Sequence, residues 1–172
     1  MKKICLVLFL ITTIGFAQNT KKFPQDYFGI YKGDLEIFNA KGKQTIQMEF
    51  HLGPTKVEGK YQYTLVYIMN GNRQERKYNI IEKDVEKGQY IIDENNDIVL
   101  QAQWMNSALY SMYEVQDNIL TTTERFYDDR MVFEITVTNR KNQQKSGGTS
   151  EEIPEVIAYP INVVQHAVLM KE

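Results

Sequence analysis

The 172-residue sequence predicts an all-β fold: an antiparallel up-and-down meander of about ten strands closed into a barrel. Three observations predict it. From Tyr27 onward, short runs of alternating apolar and polar residues recur at spacings near a dozen residues, the rhythm of sandwiches and barrels. Gly-Pro, Asn-Gly and Asp/Asn clusters punctuate those runs, as turns require. No stretch carries a helical period longer than two turns. Short connections favour neighbouring antiparallel pairs. Ten meandering strands in one open sheet would leave two long edges, and closing the sheet removes them. A two-layer β-sandwich is the alternative arrangement.

The chain opens on a segment of a different kind. Lys2-Lys3 precede an apolar run from Ile4 to Phe16, and Gly15-Phe16-Ala17 supplies the small residues of a cleavage site. This reads as a secretory signal peptide over residues 1–17, with cleavage expected between Ala17 and Gln18. The run is shorter than the roughly 20 apolar residues of a membrane span. Export to the periplasm or the exterior is expected. The only cysteine, Cys5, leaves with the leader, so the mature chain would hold no thiol, disulfide or Cys-based metal site. Cys5 precedes the apolar run rather than following it, so no lipid anchor is expected either.

Residues 18–26 form a lead-in, and 27–172 a single barrel domain of ordinary size. Phe28 to Phe38 places Tyr31, Leu35 and Ile37 on one face and Lys32, Asp34 and Glu36 on the other. Thr45 to Leu52 is the cleanest alternation, with Ile46, Met48, Phe50 and Leu52 inward. Lys60 to Met69 and Glu75 to Glu82 flank Asn70-Gly71, the strongest hairpin signal. Gln89 to Asp93 is short. Asp97 to Met105 puts Leu100, Ala102 and Trp104 on one face. Ser107 to Val115, Asn118 to Tyr127 and Met131 to Thr138 follow. Residues 140–153 are polar and contain Ser146-Gly147-Gly148-Thr149-Ser150, a composition of flexible loops. Pro154 and Pro160 bracket a short extended piece, and Ile161 to Met170 is the last strand. The long loop before it gives the chain reach to close against the first. The third, fourth and tenth runs are apolar on both faces, so parity does not orient them.

Charge excludes one class of partner. Without Lys2 and Lys3, 18 basic residues face 22 acidic ones, a net of −4. Nucleic-acid binding leaves a basic footprint, which is absent. There is no G-x-S-x-G elbow. The pairs Asp93-Glu94 and Asp128-Asp129 sit in turns, where Asp serves local backbone bonding. No catalytic motif marks the chain as an enzyme.

Gly29-Ile30-Tyr31-Lys32-Gly33, at the start of the first strand, resembles the G-x-W opening of the calycin barrels. That group includes lipocalins, fatty-acid-binding proteins and haem-binding nitrobindins. Tyr31 stands where tryptophan is usual. The chain lacks the later lipocalin motif and the helical lid of the fatty-acid binders. The resemblance implies a calycin-like barrel holding a small apolar molecule. From nitrobindin-like barrels it also implies a haem possibility, through a histidine.

Candidate ligand contacts follow. Tyr31, Tyr63, Trp104 and Tyr113 belong to a set of aromatics that could line a cavity or simply fill the core. Glu124 shares a face with Leu120, Thr122 and Phe126, while Arg125 shares the other with Ile119, Thr121, Thr123 and Tyr127. One of the two should point inward. Arg125 inside would suit a carboxylate ligand, and Glu124 inside a cation or amine. Twist at the strand end would return either to water. His166, among Val164, Val168 and Met170, is a candidate axial haem ligand, against the plainer reading of a half-buried histidine satisfied by a hydrogen bond. His51 shares a polar face with Gln47 and Glu49. Two separated histidines make no zinc site. The leading expectation is an exported protein binding a small, largely apolar ligand inside its barrel. The alternative is a non-enzymatic envelope or surface interaction module with a filled core, marked by an exposed tyrosine patch.

Overall fold

The structure, a computed structural model, describes residues 21–172. The expected signal peptide, residues 1–17, lies outside the described residues. Ten strands close into an antiparallel barrel: β1 (Gly29–Asn39), β2 (Gly42–Pro54), β3 (Lys60–Met69), β4 (Asn72–Asp84), β5 (Gln89–Asp93), β6 (Val99–Met105), β7 (Ala108–Val115), β8 (Asn118–Phe126), β9 (Arg130–Asn139) and β12 (Ile161–Lys171). Each strand pairs with its neighbour in sequence, and β12 closes the ring between β9 and β1. The expected calycin-like meander is therefore the architecture found, and the sandwich is not.

Turn chemistry sets the registers. Asn70 and Gly71 take φ of 51° and 78° between the paired residues Met69 and Asn72, as a two-residue hairpin demands. Asn106-Ser107 and Gln116-Asp117 do the same, with positive φ at all four residues. Ser107 is thus a turn residue rather than the start of a strand. Closure runs from Tyr31↔Lys171 to Asn39↔Val163. At its centre a Cβ on Gly33 would meet the Val168 carbonyl at 2.4 Å, so only glycine lets the strands approach there.

Residues 140–153 are more structured than their polar composition suggests. They hold a 3-10 turn (Arg140–Asn142) and β10 (Gln144–Ser146), which pairs with β11 (Val156–Ala158) as a small exposed hairpin. The third run is apolar on both faces because both faces are covered. Val66 is fully buried on the outer wall, flanked in register by Glu49 and Glu75. Arg73 bridges those two carboxylates, with Nη1 and Nη2 at 2.8 and 2.9 Å from Glu49 and Nε at 3.0 Å from Glu75.

The barrel has two unlike ends. At the floor, a 3-10 turn (Gln25–Tyr27) tucks under the strands. Phe23, just before it, is buried although it lies in the lead-in. It stacks on Trp104 (centroids 4.0 Å apart, planes 15°) and meets Tyr90 edge-on at 5.1 Å. Tyr27, Tyr31, Phe50 and Phe126 complete this aromatic plug. Tyr31 Oη donates to the Tyr27 carbonyl (2.5 Å) and Tyr90 Oη to the Phe23 carbonyl (2.8 Å), tying the plug to the wall.

Phe23→Ala should destabilise the protein by about 3 kcal/mol, the cost of a buried cavity left by phenylalanine. Denaturant unfolding followed by fluorescence of Trp104, the sole tryptophan, measures it. A loss under about 1 kcal/mol would show that the plug is not part of the cooperative core.

Candidate functional site

The opposite end, the mouth, carries the β1–β2, β3–β4, β5–β6 and β7–β8 turns. Below them the inward faces do not fill the barrel. Small-ligand sites run from about 300 to 1,000 Å³, and the mouth cavity is ≈ 540 Å³. Its walls combine apolar and aromatic side chains, Leu35, Ile37, Ile46, Tyr67, Leu120 and Ile135, with the polar Asn72, Gln74, Arg76 and Gln165. A smaller chamber of ≈ 60 Å³ lies against the same Tyr67, Arg76, Tyr113 and Ile135, and adds Tyr63, Tyr78 and Glu124.

Strand alternation puts these side chains together. On β3, Tyr63, Leu65 and Tyr67 share the inner face, and across β4 they stand opposite Tyr78, Arg76 and Gln74. Glu124 of β8 stands opposite Leu109 and Phe133, both buried. It is 1% exposed, the most buried ionisable carboxyl among the described residues. Tyr63 Oη donates to Glu124 Oε1. The second oxygen, Oε2, is buried with no hydrogen-bond partner among the described residues. Arg76 is at the exposed rim, its guanidinium 5.3 Å from the Tyr67 ring centroid, within cation–π range.

Burial controls the titration here. It pushes the Glu124 carboxyl up to about 7, against the opposing pull of the Tyr63 hydrogen bond. Burial, then the charge and hydrogen bond of Glu124, raise the Tyr63 hydroxyl well above its ordinary value. Burial likewise lifts Tyr67 to about 12, opposed by the Arg76 charge.

Two of the six expected contacts line this site: Tyr63 and Tyr113. Tyr31 and Trp104 are in the floor plug instead, because their registers place them at the lower ends of β1 and β6. Arg125 is on the outer wall. Its Nη1 donates to the Asn106 carbonyl and its Nη2 to the Tyr110 hydroxyl, both at 2.7 Å. His166 also faces outward, between Glu36 and Glu134 in register, 3.7 Å from Glu134 and with its side chain 40% exposed. It does not reach the interior, so the haem reading loses its ligand. The inward partners on β12 are Ala167 and Leu169, buried to 1% and 0% exposure. His51 packs beside Glu49 on the outer wall (2.8 Å).

Sequence reasoning passed over Arg76 and Tyr78, and weighed Glu124 without choosing it. The available signal was the company of Glu124. Phe126 and Leu120 mark a core face more firmly than the threonines beside Arg125 do.

A second hollow, ≈ 450 Å³, opens through the wall beside Gln101, Gln103, Ser111, Met112 and Thr121. It arises because β6 and β7 pair only from Gln103↔Tyr110 to Met105↔Ala108 and separate above that. Thr122 borders both this hollow and the deep chamber.

These features define a calycin-like, ten-stranded barrel with one plugged end and one hollow end. Among solved structures it is similar to the S-type phycobiliprotein lyase CPES of Guillardia theta, with a TM-score of 0.58 at 4% identity, covering 86% of this chain and 89% of that one. At that identity the likeness is one of fold. No protein-family model and no curated protein matches the chain.

Glu124 also sets a pH dependence of stability. Its folded value, about 7, lies above the ordinary 4.5, so the folded state holds a proton that the unfolded chain releases. Stability from this group is greatest below about pH 4.5 and falls as pH rises through 7. The span corresponds to about 3 kcal/mol. Glu124→Gln, which cannot ionise, should gain on the wild type between pH 5 and pH 8 in urea unfolding. A pH-independent difference would show that Glu124 ionises freely in the fold.

Proposed function

We propose that this is an exported small-molecule-binding protein that holds a largely apolar ligand in the upper half of its barrel. The observation that carries this reading is the ≈ 540 Å³ mouth cavity, which combines the aliphatic side chains of Leu35, Ile37, Ile46, Leu120 and Ile135 with polar groups and continues down to a small chamber beside Glu124. A barrel of roughly eight strands is just filled by its own side chains, and this one has ten. The residues 1–17 leader supports export. The described cavity architecture supports a ligand of small-molecule size.

The interaction-module alternative asked for tyrosines on the outside. Most face inward: Tyr31, Tyr61, Tyr63, Tyr67, Tyr78, Tyr90 and Tyr113 lie on the inner faces of their strands. Among the described residues no outer tyrosine patch supports that alternative.

A neutral apolar fluorophore, N-phenyl-1-naphthylamine, should bind saturably at one site. Amide chemical-shift changes should concentrate at Tyr67, Tyr113, Leu120 and Ile135. Ile135→Trp, which narrows the passage between the two chambers, should weaken binding at least about tenfold, at an overpacking cost of about 1–3 kcal/mol. Shift changes confined to the outer wall, or no saturable binding, would overturn the reading. Export is tested by N-terminal sequencing of the protein recovered from the source cell envelope or medium: Gln18 is expected first, and an intact Met1 in the cytosol would refute it.

A further inference from the structure

We propose that the deep chamber receives the cationic head of an amine whose apolar tail lies in the mouth cavity. This rests on the reading of the barrel interior as a ligand site, and names the chemistry of the ligand's leading end.

The argument starts from Glu124. A carboxyl buried this completely is costly unless its oxygens are bonded. One oxygen accepts from Tyr63. The other is buried and unpartnered among the described residues, and the side chain lines the chamber. The rest of the chamber wall supplies four tyrosine rings, Tyr63, Tyr67, Tyr78 and Tyr113. The Tyr63 and Tyr78 rings are parallel, 16° apart at 6.3 Å. Aromatic rings around a buried carboxylate are an arrangement that holds an ammonium, through cation–π attraction and a charge-assisted hydrogen bond. The chamber, ≈ 60 Å³, has room for such a head group and little more.

The other charges facing the chamber agree with an amine rather than an acid. Glu94 also lines it, and the one cation is Arg76, at the exposed rim and above the Tyr67 ring. A carboxylate head driven to the bottom would meet Glu124; an ammonium meets its counter-charge there. Arg76 stays with the solvent-facing end.

Ligand size follows from the two volumes. The head fits the lower chamber, and an unbranched or ring-bearing apolar body fits the ≈ 540 Å³ above it. A neutral alcohol of the same length would fill the same space without the charge pair.

Octylamine, 1-octanol and octanoate, titrated at submicellar concentration into the wild-type protein at pH 8 and followed by amide chemical shifts, test this. Octylamine is expected to bind at least about tenfold tighter than octanol, a difference of about 1.4 kcal/mol, with octanoate weakest. In Glu124→Gln the amine advantage should shrink to about threefold or less while octanol binding is retained. A second measurement avoids dependence on how that variant folds. In the wild type, octylamine affinity should rise about tenfold from pH 6 to pH 8 as Glu124 ionises, while the amine stays protonated and octanol affinity stays flat. Equal binding of octylamine and octanol, or octylamine shifts confined to outer acidic side chains, would overturn the amine proposal and leave the cavity reading standing. Failure of all three probes would overturn both.

Discussion

Closure of β12 onto β1 is the constraint on which the rest depends. It turns ten strands paired in sequence into a ring without edges, and so separates an inside from an outside for every strand. Edge pairing with other chains is thereby removed. Closure also sets the diameter. Diameter grows with strand number, and at the mouth ≈ 540 Å³ is surplus to what the barrel's own side chains fill. The contact between Gly33 and the Val168 carbonyl shows how tightly the seam is drawn.

The protein uses that surplus differently at its two ends. The floor is filled by a cluster of aromatics, including Phe23 and Tyr27 from outside the barrel strands. Their edge and stacked contacts make the lower half a core. The upper half is not filled, and its inner faces mix aliphatic side chains with Gln74, Arg76 and Gln165. Glu124 stands between the two regimes. It is as buried as any core residue, yet it carries a carboxyl whose titration the apolar surroundings push up to about 7. A buried carboxyl that costs stability as pH rises through 7 is the kind of perturbed group that marks a candidate functional site.

The wall has one weak place. β6 and β7 share three residue pairs, while β7 and β8 pair along their whole length. Hydrogen bonds missing from the upper part of that seam leave fewer contacts to resist opening. The hollow beside Ser111 and Met112 sits there, and Ser111 Oγ is buried without a partner among the described residues. The stiffer side of the barrel is opposite, where β1, β2, β9 and β12 pair in long registers.

The sequence by itself determined the ten barrel strands, most of their turns and the faces of those with clean alternation, but not the turn position of Ser107 or the strand Gln144–Ser146 within the polar segment. Period-2 patterning is local, and Asn70-Gly71 requires positive φ wherever it occurs. Closure was legible too, as the remedy for two long edges. What the tertiary structure decided was which aromatics meet. Tyr31 and Tyr63 share an inner face equally well on parity, but strand register sends one to the floor and the other to the chamber. The choice between Glu124 and Arg125 was also tertiary. Both faces of β8 are mixed, and only the neighbours Leu109 and Phe133 fix which side is core. The outward turn of His166 has the same origin. Its apolar companions Val168 and Met170 are 45% and 50% exposed, so hydrophobicity along β12 did not mark the inside, and only pairing with β1 and β9 did.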